Sequence, residues 1–181
     1  MIVSIFYSYF SSLRFNLKKI DIKLLYAVPA IFGLVLYTLY LYSRLNDPFK
    51  YLTSQLFWER SVTDPASTVL NYTWTILTNE PRPPNDYFDL FLTLLFFTVL
   101  VLGVKKISSS LWIFSMLVIL IPTSTGTLTS MPRYLLSSLG VFIILGQYFD
   151  NHKRLRILIW AISLFAQAIL AVRFINGYWV A

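Results

Sequence analysis

The sequence predicts an all-α integral membrane protein of about five transmembrane helices, with short amphipathic surface helices in an extracytoplasmic loop. Composition is the first reason. Hydrophobic residues make up 57% of the 181-residue chain and charged residues 13%, against about 45–50% and about 25% in ordinary soluble domains. Aromatics reach 18%, and Trp and Tyr favour the membrane–water interface. The second reason is length. Five segments qualify, or nearly so, as the roughly 20 apolar residues that cross a hydrocarbon core. The third is that lysines and arginines cluster between these segments, as topology signals do.

Taken in order, "MIVSIFYSYFSSLRFNLKK" lacks a basic start and a small-residue cleavage site, so it does not read as a signal peptide. It reads as a short interfacial helix or as the tail of a span. The spans are placed at 24–43, 87–104, 107–124, 132–149 and 155–175, within a single polytopic domain, 1–181. The third and fourth are short, and the polar loop "PTSTGTLTSMPR" joins them. The long segment 44–86 contains two units with helix-start chemistry. Asp47 and Asp64 are placed to cap first-turn amides, and Pro48 and Pro65 fit the first turn, where a missing N–H is harmless. Phe49, Leu52, Leu56 and Phe57 fall on one helical face, as do Val69, Leu70, Trp74 and Leu77. This predicts two amphipathic helices on the membrane surface or over a cavity. "NEPRPPND" then forms a stiff connection, because clustered prolines disfavour helix.

The basic clusters set the orientation. Arg14, Lys18, Lys19 and Lys23 precede the first span, Lys105 and Lys106 follow the second, and Lys153, Arg154 and Arg156 precede the fifth. Five spans put all three clusters on one side, which the positive-inside rule makes cytoplasmic. The N-terminus is then cytoplasmic and the C-terminus extracytoplasmic. Apart from Asp21 and Asp150, every carboxylate falls in 44–86 or, for Asp89, at the mouth of the second span. Chemistry is therefore expected on the outer face.

The net charge of +7 is dispersed in short clusters, which argues against a nucleic-acid-binding face. The chain has no cysteine and one histidine, His152, so thiolate metal sites are excluded and no metal or cofactor is expected. Phosphate-cradling glycine loops and nucleophile motifs are absent. The candidates are isolated residues. Arg133 could clamp a phosphate with its planar fork, or anchor its helix end in lipid headgroups. "PTSTGT" before it offers hydroxyls, as turns commonly do. Trp58, Glu59 and Arg60 suit contact with an acceptor or with lipid, or a plain interfacial anchor. Arg173 is explained equally by a cavity or by snorkelling, and Asn71-Tyr72-Thr73 fits an N-glycosylation pattern.

At "GTLTSMPRYLLSSLGVFIILG" the sequence resembles the late region of the GPI mannosyltransferase 2-like proteins and their bacterial relatives. "QLFWERSVTDP" is similar to that family's Trp-x-Arg helix with a nearby proline, and "FINGYWVA" to the closing motif of its bacterial members. The resemblance covers residues 40 to 181, with Met-Pro-Arg-Tyr as its most specific part. It implies the C-terminal half of a GT-C glycosyltransferase, in a bacterial plasma membrane or a eukaryotic endoplasmic reticulum. Such an enzyme transfers mannose or a related sugar from a polyprenyl-phosphate carrier on the extracytoplasmic face. On that reading Arg133, Tyr134, Ser130 and Thr127 border the donor phosphate. The family's presumed catalytic acid lies in the first external loop, and nothing before residue 40 resembles that loop. A separate N-terminal catalytic half is then the expected partner, while Glu59, Asp64 and Asp89 have no spacing that marks one as base. The competing class is a non-catalytic membrane subunit or transporter fragment that binds lipid or a partner protein.

A reporter enzyme fused after Lys106 tests the orientation. A cytoplasmic reporter is the expected outcome, and an external one would reverse every assignment of side.

Overall fold

The structure, a computed structural model, describes residues 2–13, 28–58, 60–78 and 83–178. Arg14, Lys18, Lys19, Lys23, Glu59 and the start of "NEPRPPND" lie outside the described residues, as does the end of "FINGYWVA". Among the described residues every regular element is helical: α1 (Ile2–Ser12), α2 (Val28–Leu45), α3 (Lys50–Thr53), α4 (Pro65–Leu77), α5 (Pro84–Leu102), α6 (Ser109–Thr123), α7 (Met131–Leu135), α8 (Leu139–Asp150) and α9 (Lys153–Ile175). A 3₁₀ stretch, Ser54–Trp58, continues α3.

Two of these helices, α5 and α9, are long and apolar enough to cross a membrane. At 1.5 Å per residue they reach about 28 and 34 Å, against a hydrocarbon core of about 30 Å. The apolar stretches Ile31–Leu45, Ser109–Thr123 and Leu139–Asp150 are shorter. α9 packs against α8 and buries none of its residues. A helix that is apolar all round and unburied suits an apolar solvent.

The core sits where α5, α6 and α8 meet α7. Leu100, Ile119, Leu128, Met131, Leu135 and Val141 are all but inaccessible there. Leu128 and Met131 belong to the polar loop between α6 and α8, so that loop plugs the bundle. At the other end of α6, α1 packs alongside, and Ser110 Oγ donates to the Ser4 carbonyl at 2.8 Å.

The expected span 132–149 is not one helix. It is divided into α7 and α8 by Leu136–Ser138, and Ser138 has non-helical backbone angles (φ −79°, ψ 69°). Such a break leaves first-turn amides without helical partners. Ser115 on α6 answers one of them, because its Oγ accepts from the Gly140 amide at 2.9 Å. Ser115 is fully buried, and a Cβ added to Gly140 would stand 2.6 Å from that Oγ. Small residues on both sides therefore let α6 and α8 approach closely enough for the amide to be satisfied.

The external segment also differs from the simple expectation. Asp64 caps α4 by accepting from the Ser67 amide at 2.9 Å, with Pro65 in the first turn. Asp47 accepts from the Phe49 amide at 2.9 Å, but only the four-residue α3 follows before the 3₁₀ stretch. In α4 the side turned to α5 and α6 is polar, carrying Thr68, Tyr72 and Thr75, whereas Leu70, Trp74 and Leu77 are exposed. The threonines satisfy themselves: Thr68 and Thr75 Oγ1 donate to the carbonyls of Asp64 and Asn71, at 3.3 and 2.9 Å. Short, self-bonded side chains can face a bundle without an unsatisfied hydroxyl. Leu70, Trp74 and Leu77 are left facing outward, while Val69 and Ile76 pack against the core.

Gly140→Ala is expected to lower stability by about 1–3 kcal/mol, the range for overpacking a tight contact. Thermal unfolding in detergent reads this. Unchanged unfolding of Gly140→Ala would mean that the α6–α8 crossing is looser than described.

Candidate functional site

The polar loop after α6 is built before it is occupied. Gly126 has φ +78° and Ser130 has φ +68°, so the chain turns twice through the left-handed region. A non-glycine residue there costs roughly 1–2 kcal/mol, so the surroundings must hold Ser130 in place. Inside the bundle, the Ser130 amide faces the carboxylate of Asp89, a buried residue of α5, as a hydrogen-bond donor. From α4, the Tyr72 hydroxyl accepts from the Leu128 amide at 3.1 Å and shares a hydrogen bond with Thr127 Oγ1 at 3.0 Å. Along the outside, the extended stretch 60–63 pairs with the start of the loop. Ser61 and Thr63 amides donate to the Thr125 and Ser124 carbonyls at 3.0 and 2.9 Å.

These restraints shape a cavity of about 530 Å³ lined by Gln55, Trp58, Arg60, Thr129, Ser130, Arg133 and Tyr134. Two permanent cations therefore face one space. Arg133 Nη2 donates to Ser130 Oγ at 2.7 Å, so the left-handed residue orients the guanidinium on the next turn. Arg60 Nη1 donates to the Tyr134 hydroxyl at 2.9 Å and to Gln55 Oε1 at 3.3 Å. Arg60 Nη2 donates to the Thr129 carbonyl at 3.4 Å, and the guanidinium lies 5.8 Å from the centroid of the Tyr134 ring.

The sequence-derived residues separate into two groups. Ser130, Arg133 and Tyr134 line the cavity together with Trp58 and Arg60, so the set expected at a phosphate and the set expected at an acceptor or lipid share one space. Glu59 lies outside the described residues. Thr127 is not among the lining residues; besides Tyr72, its Oγ1 pairs with Thr129 Oγ1 at 2.8 Å and accepts from the Thr129 amide at 3.2 Å. It shapes the loop. Of the acids considered as base, Asp64 is engaged as the α4 cap and Asp89 is buried against the Ser130 amide. His152, stacked on Tyr148, and Arg173, in the last turn of α9, do not line the cavity. Tyr72 and Gln55 were not singled out from sequence. Thr68, Tyr72 and Thr75, at i, i+4 and i+7, form a polar stripe that marks the inward face of α4.

A second cavity of about 560 Å³ lies between α4, α5 and α6, lined chiefly by apolar side chains that include Val69, Leu94, Phe97, Ile119 and Leu120. The hydroxyls on its walls, Thr93 and Thr123, each donate at 2.6 Å to the carbonyl four residues earlier. That leaves little polar character. Comparison with protein-family models, curated proteins and solved structures finds no match.

Tyr72→Phe leaves the buried Leu128 amide without its acceptor and is expected to cost about 1–3 kcal/mol. Gly126→Ala is expected to cost about 1–2 kcal/mol for its positive φ alone, and its new Cβ would stand 2.9 Å from Thr63 Oγ1. Both variants should speed amide hydrogen exchange across 124–131. Exchange as slow as in the unmodified chain would show that the loop is held by something else.

Proposed function

We propose that this chain is the C-terminal part of a membrane glycosyltransferase, and that the cavity of Arg60, Arg133 and Tyr134 takes the phosphate of a polyprenyl-phosphate sugar on the extracytoplasmic face. One observation carries the reading: two arginines and a tyrosine hydroxyl converge on a single space in the region of the Met-Pro-Arg-Tyr resemblance. Guanidinium groups have donors and no acceptor capacity, so a lining of this kind suits an acceptor-rich anion such as a phosphate ester.

The surroundings support an amphiphilic ligand. Trp58 lines the cavity and is largely exposed, and Leu56 and Phe57 beside it are exposed as well. Aromatic and aliphatic side chains of this kind sit at the headgroup level of a bilayer. The outward-facing Leu70, Trp74 and Leu77 of α4 suit the same depth. On this reading the chain crosses the membrane five times with its basic loops cytoplasmic, so this face lies outside the cell or in the organelle lumen.

In transfer from a phosphate carrier, negative charge collects on the leaving phosphate as the sugar–oxygen bond breaks. A pre-aimed cation lowers that barrier because it needs no reorganisation during the reaction. Arg133, held by Ser130 Oγ, is aimed in this sense. The base that activates the acceptor is assigned to a separate N-terminal half, where the family resemblance puts the catalytic acid.

The test is binding of a mannosyl phosphoprenol to the purified chain in lipid nanodiscs. Arg133→Ala is expected to weaken it by roughly tenfold or more, and Arg133→Lys to lose part of the affinity, because a point charge does not replace the fork. If both variants bind as the unmodified chain does, Arg133 has no such role. Binding without transfer, even after addition of the N-terminal half, would favour the non-catalytic subunit.

A further inference from the structure

We propose that Arg60 is a positioning residue, which fixes the Tyr134 hydroxyl as a hydrogen-bond donor to the anionic group in the cavity. The inference rests on the phosphate reading above and assigns Arg60 a task within it. It differs from the acceptor or lipid contact that the sequence suggested for Trp58 and its neighbours.

The direction of the bond is forced. Arginine cannot accept a hydrogen bond, so in the 2.9 Å contact Arg60 Nη1 donates and the Tyr134 oxygen accepts. A phenol has a single proton, and the Arg60 contact makes no use of it. The Tyr134 hydroxyl has no other hydrogen bond among the described residues, and the side chain lines the cavity. Its O–H is therefore the group presented to a ligand oxygen. The guanidinium bonded to the hydroxyl oxygen also polarises it, which strengthens the bond it donates.

Arg60 is itself fixed. Its side chain is tied to Gln55, Tyr134 and the Thr129 carbonyl, which belong to three separate elements. Its backbone adjoins the pairing of Ser61 and Thr63 with the loop. Arg60 Nε is buried without a partner among the described residues. An orphaned donor is a cost, and it is tolerated where the rest of the group is required in one place. A lysine could not reproduce this, because one ammonium cannot span Gln55, Tyr134 and Thr129 with a planar fork.

A double-mutant cycle on the full chain in detergent micelles tests the proposal, with farnesyl phosphate and farnesol as probes. The phosphate reading is judged first, and separately. The unmodified chain should bind farnesyl phosphate at least about tenfold better than farnesol, and Arg133→Ala should remove most of that preference. If no preference exists, the phosphate reading fails and the role of Arg60 fails with it. Given the preference, Arg60→Ala and Tyr134→Phe should each weaken farnesyl phosphate binding by roughly tenfold, and the double variant by no more than the larger single loss. Losses that multiply would show Arg60 acting independently of Tyr134 and would overturn the proposal, as would Arg60→Ala without effect. Should Arg60→Ala fail to fold, Arg60→Lys replaces it in the cycle, with thermal unfolding as the control. A partial loss that vanishes in the Tyr134→Phe background supports the proposal; full affinity in Arg60→Lys overturns it.

Discussion

A buried polar loop must satisfy its own backbone, and the architecture around residues 122–136 follows from that demand. Leu128 and Met131 are packed into the helix core, so the amides beside them have no ready access to water. The Tyr72 hydroxyl takes the Leu128 amide, and the Asp89 carboxylate faces that of Ser130. An unmet amide at this depth would cost more than an ordinary hydrogen bond contributes. α4 and α5 are thus tied to the loop by polar contacts as well as by packing.

The cavity is a consequence of the same restraints. With Ser130 held at positive φ, α7 starts at a fixed angle, and Arg133 and Tyr134 project from its single turn. Stretch 60–63, paired to the loop from outside, brings Arg60 across to Tyr134. Two cations from residues far apart in sequence are thus placed in one wall, Arg133 donating to Ser130 Oγ and Arg60 to the Tyr134 hydroxyl. A cavity held in this way by the chain's own contacts has the rigidity that favours binding with little reorganisation.

Local signals were legible and their reach was not. Asp64 and Pro65 mark the start of α4 because a carboxylate cap and a proline in the first turn act within four residues. The same signals at Asp47 and Pro48 set a turn, yet α3 stops after Thr53. The break at Leu136–Ser138 was hidden in a run that reads as continuous and apolar, since what makes it tolerable is Ser115 on another helix. The polar inward positions of α4, Thr68, Tyr72 and Thr75, were hidden for a related reason, since their partners lie on the loop or in the helix backbone itself.

Composition alone determined that this chain is helical where it is apolar, because no other backbone arrangement closes its own hydrogen bonds within one segment of such length. It also singled out Arg133, a lone cation in an uncharged loop. Tertiary structure decided which residues share its space. Trp58 and Arg60 join Arg133 and Tyr134 around one cavity, whereas Thr127, closer to Arg133 in sequence, is held in the loop by Tyr72 and Thr129. Sequence spacing cannot report this, because the direction of a side chain after two left-handed turns depends on contacts from α4, α5 and the 60–63 stretch.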